Sequence, residues 1–151
     1  MSRHQFFEDY VAGDVFEYGS IALSEDDIVE FARRYDPQYL HVDAQAAGDG
    51  PFGGLIASGW HTNAVIMRLF VDNYLPGTAS LASPGIDELR WLRPVRPGDT
   101  LRIRVRVVET RTSKTKPDRG VVKSYIEALN GRDEIVVTML GTNFIARRRG
   151  S

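Results

Sequence analysis

The sequence predicts an α+β fold in which a curved antiparallel sheet wraps around one long central helix. Two observations predict it. One segment carries apolar residues at helical spacing on nearly all sides, and several segments, most of them after it, carry them at the two-residue period of strands. A strand must bury one face, and such a helix must bury most of its circumference. A sheet curved around the helix satisfies both demands. The chain has 151 residues, 42% of them apolar, which suits one domain with a real core. We place that core at about residues 6–146, followed by a basic tail over 147–151.

The elements follow in order. Residues 15–23 alternate well enough for a first strand. Ser24 followed by Asp27 resembles a capping box, so a helix is expected from there, with Ile28, Phe31, Ala32 and Tyr35 on one face. Pro37 should end it, because the residue before a proline avoids the α region; Asp36 then sits at the boundary. Residues 42–47 suit one helical turn, and a glycine-rich loop follows. The main helix is expected from Gly59 to about Leu75. Trp60, Ala64, Met67, Val71 and Tyr74 recur at helical spacing, and Val65, Ile66, Leu69 and Phe70 fill much of the remaining circumference, so burial on most sides is expected. Pro76-Gly77 stops the helix.

The period then changes. Residues 86–92 suit a strand. Leu101, Ile103, Val105 and Val107 alternate with Arg102, Arg104 and Arg106, a half-buried strand with a basic outer face. Residues 121–129 and 134–146 suit two more strands. Asn130-Gly131 between them signals a hairpin, since both residues tolerate positive φ. A longer loop over 110–120, turning at Pro117-Asp118-Arg119-Gly120, joins the preceding pair. Such a sheet leaves edge strands and one side of the helix partly open, which points to a homodimer or higher homo-oligomer.

Charge and composition narrow the function. The 19 basic residues nearly balance the 20 acidic ones, which argues against a nucleic-acid partner. The one basic run, Arg147-Arg148-Arg149, reads as a frayed tail. The absence of cysteine excludes disulfides, thiolate metal sites and a cysteine nucleophile. The first residues lack the apolar run of a signal peptide, and the longest apolar stretch, 64–71, is interrupted by Arg68 and too short to span a bilayer. A soluble, cytoplasmic protein without a membrane partner is expected.

Two stretches concentrate chemistry. Asp36-Pro37-Gln38-Tyr39-Leu40-His41-Val42-Asp43 gathers two carboxylates and an imidazole beside a helix end. Leu55-Ile56-Ala57-Ser58-Gly59-Trp60-His61 opens the main helix with a glycine. There, amides without intrahelical partners and the helix dipole favour negative charge, such as that developing on a polarised thioester carbonyl. Each residue also has an ordinary structural explanation. Asp36 can bond turn amides, His41 can be a satisfied surface or semi-buried histidine, Asp43 can cap the next turn, and Gly59 can simply give the chain room. Ser58 and His61 can line a pocket or cap the helix. His4 lies in a terminus expected to be mobile. A zinc site from Asp36, His41 and His61 lacks a close pair at ligand spacing, and no metal is expected.

The two stretches together resemble the MaoC-like dehydratases, which include the R-specific enoyl-CoA hydratases. Asp36, His41 and Asp43 keep the spacing of the family's Asp-x-Asn-Pro-x-His-x-Asp motif, and the segment from Phe52 to Gly59 is similar to its glycine-containing turn before the central helix. The segments Leu92–Asp99 and Pro117–Gly120 also match, so the resemblance spans about residues 6–146. Pro37 and Gln38 depart from the first motif, Ser58 stands where the family has histidine, and Trp60 is bulkier than its methionine.

The resemblance implies a hotdog fold and a hydro-lyase that interconverts 2-enoyl and 3-hydroxyacyl thioesters. Asp36 and His41 would hold the reacting water, with Asp36 as its base and His41 sharing its orientation and the proton transfer, and the Gly59 amide would receive charge from the thioester oxygen. Asp43, Phe52, Ser58, Trp60 and His61 would contact substrate. No cofactor is implied beyond the acyl-CoA or acyl-carrier thioester itself. Arg102, Arg104, Arg106, Lys114, Lys116 and Arg119 either meet the carrier's phosphates or form a solvated basic face. Two rivals stand beside this reading: a hotdog acyl-CoA thioesterase, for which the central helix offers only Asp72 as carboxylate, and a non-catalytic acyl-thioester-binding partner subunit.

Overall fold

Strand-period segments become one five-stranded antiparallel sheet, in the order β1-β3-β4-β5-β2, in the computed structural model, which describes residues 2–150. The strands are β1 (Val15–Ala22), β2 (Gly85–Trp91), β3 (Thr100–Thr112), β4 (Arg119–Leu129) and β5 (Ile135–Ala146). The helices are α1 (Glu25–Tyr35), the short α2 (Tyr39–Val42) and α3 (Ala44–Gly48), and the central α4 (Gly59–Asn73). This is the expected α+β hotdog arrangement, with α4 packed on β1 and β3. No helix among the described residues is long and apolar enough to cross a membrane.

Alternation in β3 sets the inner face. Leu101, Ile103, Val105 and Val107 are buried against α4 and join Val122, Ile126, Val136, Val137 and Ile145 in one core. The arginines between them alternate with this buried row, and each has a partner on a neighbouring segment. Arg104 reaches Glu127 at 2.9 Å and Glu17 at 3.7 Å, Arg102 reaches Asp133 at 2.8 Å, and Arg106 lies over the Tyr125 ring.

Helix α1 starts as its capping box predicts. Ser24 Oγ accepts the Asp27 N–H at 3.1 Å while the Asp27 carboxylate accepts the Ser24 N–H at 3.0 Å. Ile28 and Ala32 are buried, but Tyr35 is 65% exposed, because it lies in the last turn, with no core on its side.

Several expectations are corrected. Helix α4 buries only one side. Val65, Ile66, Leu69 and Phe70 face the sheet, each contributing about 1.5–3 kcal/mol by burial, whereas Trp60, Met67 and Val71 stand 60%, 49% and 47% exposed. One sheet layer covers one face of a helix, and no other layer of this chain covers the rest. His4 is not at a loose end. It is 2% exposed, stacked on Tyr10 at 4.2 Å, edge-on to Phe16 and packed against Tyr74 at 5.2 Å, so a cluster of aromatic residues holds it.

The basic tail is tied down as well. Arg147 N–H donates to Asp118 O, Arg148 N–H donates to Glu8, and the Arg148 guanidinium meets Asp9 at 2.9 Å. Strands β3 and β4 run on to the pair Thr112–Gly120, shrinking the expected long loop to 113–118. The β4–β5 hairpin forms, but its left-handed residue is Asp133 at φ 61°, and neither Asn130 nor Gly131 has positive φ. Asn130 instead uses its side-chain oxygen to accept the Arg132 and Glu134 N–H groups.

Candidate active site

The proline after Asp36 builds the first half of the site. Helix α1 stops there, with the Asp36 N–H donating to Ala32 O at 2.8 Å, and the backbone leaves the helical region at Asp36. Gln38 then precedes α2, whose single turn carries His41 inward beside Asp36. His41 Nε2 lies 3.5 Å from Asp36 Oδ2, with the histidine side chain 8% and the aspartate side chain 18% exposed. Ile56 N–H donates to Leu40 O, pinning the segment before α4 against α2, and this brings the Ile56 carbonyl 2.7 Å from His41 Nδ1. A carbonyl only accepts, so Nδ1 carries a hydrogen, and Nε2 is the ring nitrogen turned toward Asp36.

Ser58 completes the second half. It is fully buried and caps α4, its oxygen accepting the Trp60 N–H at 3.3 Å, while its hydroxyl donates to Asp36 Oδ2 at 2.7 Å. Gln38 Nε2 donates to Asp36 Oδ1 at 2.7 Å. Hydrogen bonds from Ser58 and then Gln38, with a smaller contribution from His41, hold the Asp36 carboxyl below the usual carboxylate range.

Asp36 and His41 face a cavity of about 400 Å³ whose lining is mainly apolar and includes Phe52, Gly59, Trp60 and Trp91. Gly59 is needed for close approach. The Trp91 indole lies so near that a Cβ on Gly59 would sit 2.5 Å from the ring, and the indole N–H donates to Gly59 O and Asn63 Oδ1 at 3.1 Å each. The Gly59 amide belongs to the first turn of α4, where N–H groups have no intrahelical acceptor and attract negative charge.

The structure thus brings Asp36, His41, Gly59, Phe52 and Trp60 to one cavity and places Ser58 directly behind Asp36. It leaves two expected contacts elsewhere. Asp43 accepts the Ala46 N–H at 3.0 Å as the cap of α3 and does not line the cavity. His61 points from α4 toward α1, stacked on Phe31 at 4.8 Å, its Nδ1 without a hydrogen bond among the described residues. Burial pushes the His61 imidazole down. Asp36, His41 and His61 therefore do not converge on one point, and no cluster of three possible ligands occurs among the described residues. None of the six basic residues weighed for phosphate contact lines the cavity, and Arg102, Arg104 and Arg119 are bound to carboxylates of their own chain.

Sequence reasoning missed Trp91, Arg93 and the Ile56 carbonyl, and passed over Gln38 as a donor. Trp91 and Arg93 belong to a segment some thirty residues beyond Gly59, and no spacing announces that contact. The Gln38 side chain, two residues from a candidate carboxylate, was a usable signal.

The profile of the family described as MaoC like domain matches residues 10–128. The crystal structure of a MaoC-like dehydratase from Rhodospirillum rubrum is similar at a TM-score of 0.89 and 39% identity, covering 96% of this chain and 99% of that one. The uncharacterized protein YdeM of Bacillus subtilis is 31% identical over 126 residues, 83% of this chain and 88% of its own length. The R-hydratase PhaJ1 of Pseudomonas aeruginosa, in its unliganded form, superposes with a TM-score of 0.73 at 26% identity, covering 95% of this chain and 86% of that one.

Proposed function

The chain belongs to the MaoC-like domain family, and from that premise we propose that it is a hydro-lyase interconverting 2-enoyl and 3-hydroxyacyl thioesters. One observation carries the reading: Asp36 Oδ2 and His41 Nε2 stand 3.5 Å apart at the wall of an apolar cavity, beside the first turn of a helix. Such a pair can hold one water and move one proton. A thioester oxygen beside the Gly59 N–H gains stabilisation as charge develops on it, and a single donor of this kind contributes about 2.7–4 kcal/mol. The substrate is an acyl thioester of coenzyme A or of an acyl carrier, and Asp36 and His41 supply the proton transfer.

The thioesterase alternative asks for a carboxylate on the central helix near the bond to be cleaved. Asp72, the carboxylate that helix offers, lies thirteen residues past Gly59, about 20 Å along the axis, and it is paired with Arg68 at 2.7 Å. A homodimer accompanies this reading. The exposed stripe of Trp60, Met67 and Val71 and the edge strand β2 support it, since both leave apolar or unpaired surface for a second copy.

The test is ultraviolet absorbance at the conjugated enoyl thioester band with crotonyl-CoA, run beside a thiol assay. Loss of absorbance without thiol release is expected, and Asp36→Asn and His41→Ala should each lower turnover by about 10²-fold or more. Full activity in either folded variant removes that residue from the chemistry.

A further inference from the structure

Both oxygens of the Asp36 carboxylate are already held by donors from their own chain. Gln38 donates to Oδ1 and Ser58 to Oδ2, each at 2.7 Å. The two donors are set differently. The buried Ser58 oxygen accepts the Trp60 N–H, so its one proton is directed at Asp36. For Gln38, the opposite amide orientation would set oxygen against a carboxylate oxygen. The donors come from different elements, Gln38 from the start of α2 and Ser58 from the cap of α4, so the carboxylate is clamped between them.

A carboxylate that accepts two short hydrogen bonds gives up its proton easily and is a weak base toward water. The Asp36 carboxyl is accordingly held below the ordinary range. His41 is arranged the other way. Its Nδ1–H is committed to Ile56 O, which leaves Nε2, turned toward Asp36 and the cavity, as the ring nitrogen that exchanges a proton. Among the described ionisable residues that line the cavity, His41 is the one within ion-pair distance of Asp36. Arg93, which also lines the cavity, is paired with Glu134 at 3.2 Å.

We propose that Ser58 and Gln38 are positioning residues that fix Asp36 as a standing anion, so that the reacting proton travels through His41 Nε2 alone. The proton route rests on the hydro-lyase reading; the clamp itself does not. In hydration, the water oxygen bonds to C3 of the enoyl thioester while one water proton passes to His41 Nε2. The C2–C3 π electrons shift toward the thioester carbonyl, giving an enolate whose oxygen meets the Gly59 N–H. The imidazolium, paired with Asp36, returns the same proton to C2. One water is added, and no proton or electron is left over. Asp36 stays charged throughout, holding the second water hydrogen and then the imidazolium.

The test labels the protein with carbon-13 aspartate and follows the Asp36 side-chain carboxyl signal, assigned by its loss in Asp36→Asn, across pH. The wild type, Ser58→Ala, Ser58→Thr and Gln38→Leu are compared. The Asp36 midpoint is expected below that of ordinary aspartates in the wild type, raised in Ser58→Ala and in Gln38→Leu, and restored in Ser58→Thr. On the same samples, kcat with crotonyl-CoA should fall about tenfold in Ser58→Ala with KM little changed, and recover in Ser58→Thr. Gln38 is exposed, so its variant keeps the test alive if Ser58→Ala does not fold. Unmoved midpoints in both variants overturn the clamp, and undiminished turnover in Ser58→Ala with a raised midpoint overturns the proton route. Moved midpoints in a wild-type background that hydrates no enoyl thioester overturn the hydro-lyase reading and leave the clamp supported.

Discussion

The two ends of α4 are built from opposite materials. At its C-terminal end, Phe70 and Tyr74 are sealed by residues of this chain. Tyr74 touches Tyr10, His4 and Phe16, its hydroxyl lies 2.8 Å from Ser124 Oγ, and its carbonyl accepts the Tyr10 hydroxyl at 2.6 Å. At its N-terminal end, Gly59 and the 60% exposed Trp60 line a cavity, and the buried Ser58 stands behind Asp36. One helix thus serves as an anchor at one end and as a chemical site at the other. Close packing at the first end is what allows the second to remain open and polar, because buried polar groups hold a geometry only when their backbone cannot drift.

Changes at the anchored end should cost stability and spare chemistry. Phe70→Ala removes a buried ring from the core and should destabilise by about 3–5 kcal/mol, read as a fall in the denaturant midpoint, while kcat per folded molecule stays within about twofold of wild type. Asp36→Asn and His41→Ala should do the reverse: a loss of about 10²-fold or more in turnover, equivalent to about 2.7 kcal/mol, with a smaller loss of stability than Phe70→Ala, about 1–3 kcal/mol where His41→Ala leaves the buried Ile56 carbonyl unpaired. A Phe70→Ala protein that loses activity without losing stability would break the comparison.

The histidines sharpen it. Burial pushes His4, at the anchored end, below its ordinary 6.5, and burial also lowers His61 beside the site. For His4, Arg3 acts in the same direction, while Asp9 and Asp14 act weakly against it. A histidine whose folded pKa is depressed adds no pH dependence above about 6.5. As pH falls below that value the unfolded chain takes up a proton that the fold refuses, and stability is lost down to the folded pKa. Chemical denaturation between pH 7 and pH 5 should therefore show falling stability, and His4→Phe should flatten part of that fall. An identical slope in the variant removes His4 from the account. The smallest effect is expected from Tyr74→Phe, which deletes one buried hydrogen bond to Ser124 and should cost about 0.5–1.5 kcal/mol.

Which parts of this contrast were legible beforehand follows from range. The capping box of Ser24 and Asp27, the stop at Pro37 and the alternation of β3 are local, and each is read from neighbouring residues. The Asp36–His41 pair was equally readable, since both residues belong to one eight-residue stretch. The burial of His4, the seat of Trp91 on Gly59 and the bond from Ser58 to Asp36 join segments from 22 to 70 residues apart, and no periodicity encodes them. The half-exposed face of α4 misled for a related reason. Apolar residues on all sides of a helix show that every side seeks cover, but not that one chain supplies it.

Incubation with crotonyl-CoA in water labelled with oxygen-18, followed by mass spectrometry of the acyl products, tests the central claim most directly. The account predicts one labelled oxygen in an intact hydroxyacyl thioester, absent with Asp36→Asn and with His41→Ala. Label appearing instead in a free carboxylic acid, alongside free coenzyme A, would contradict it.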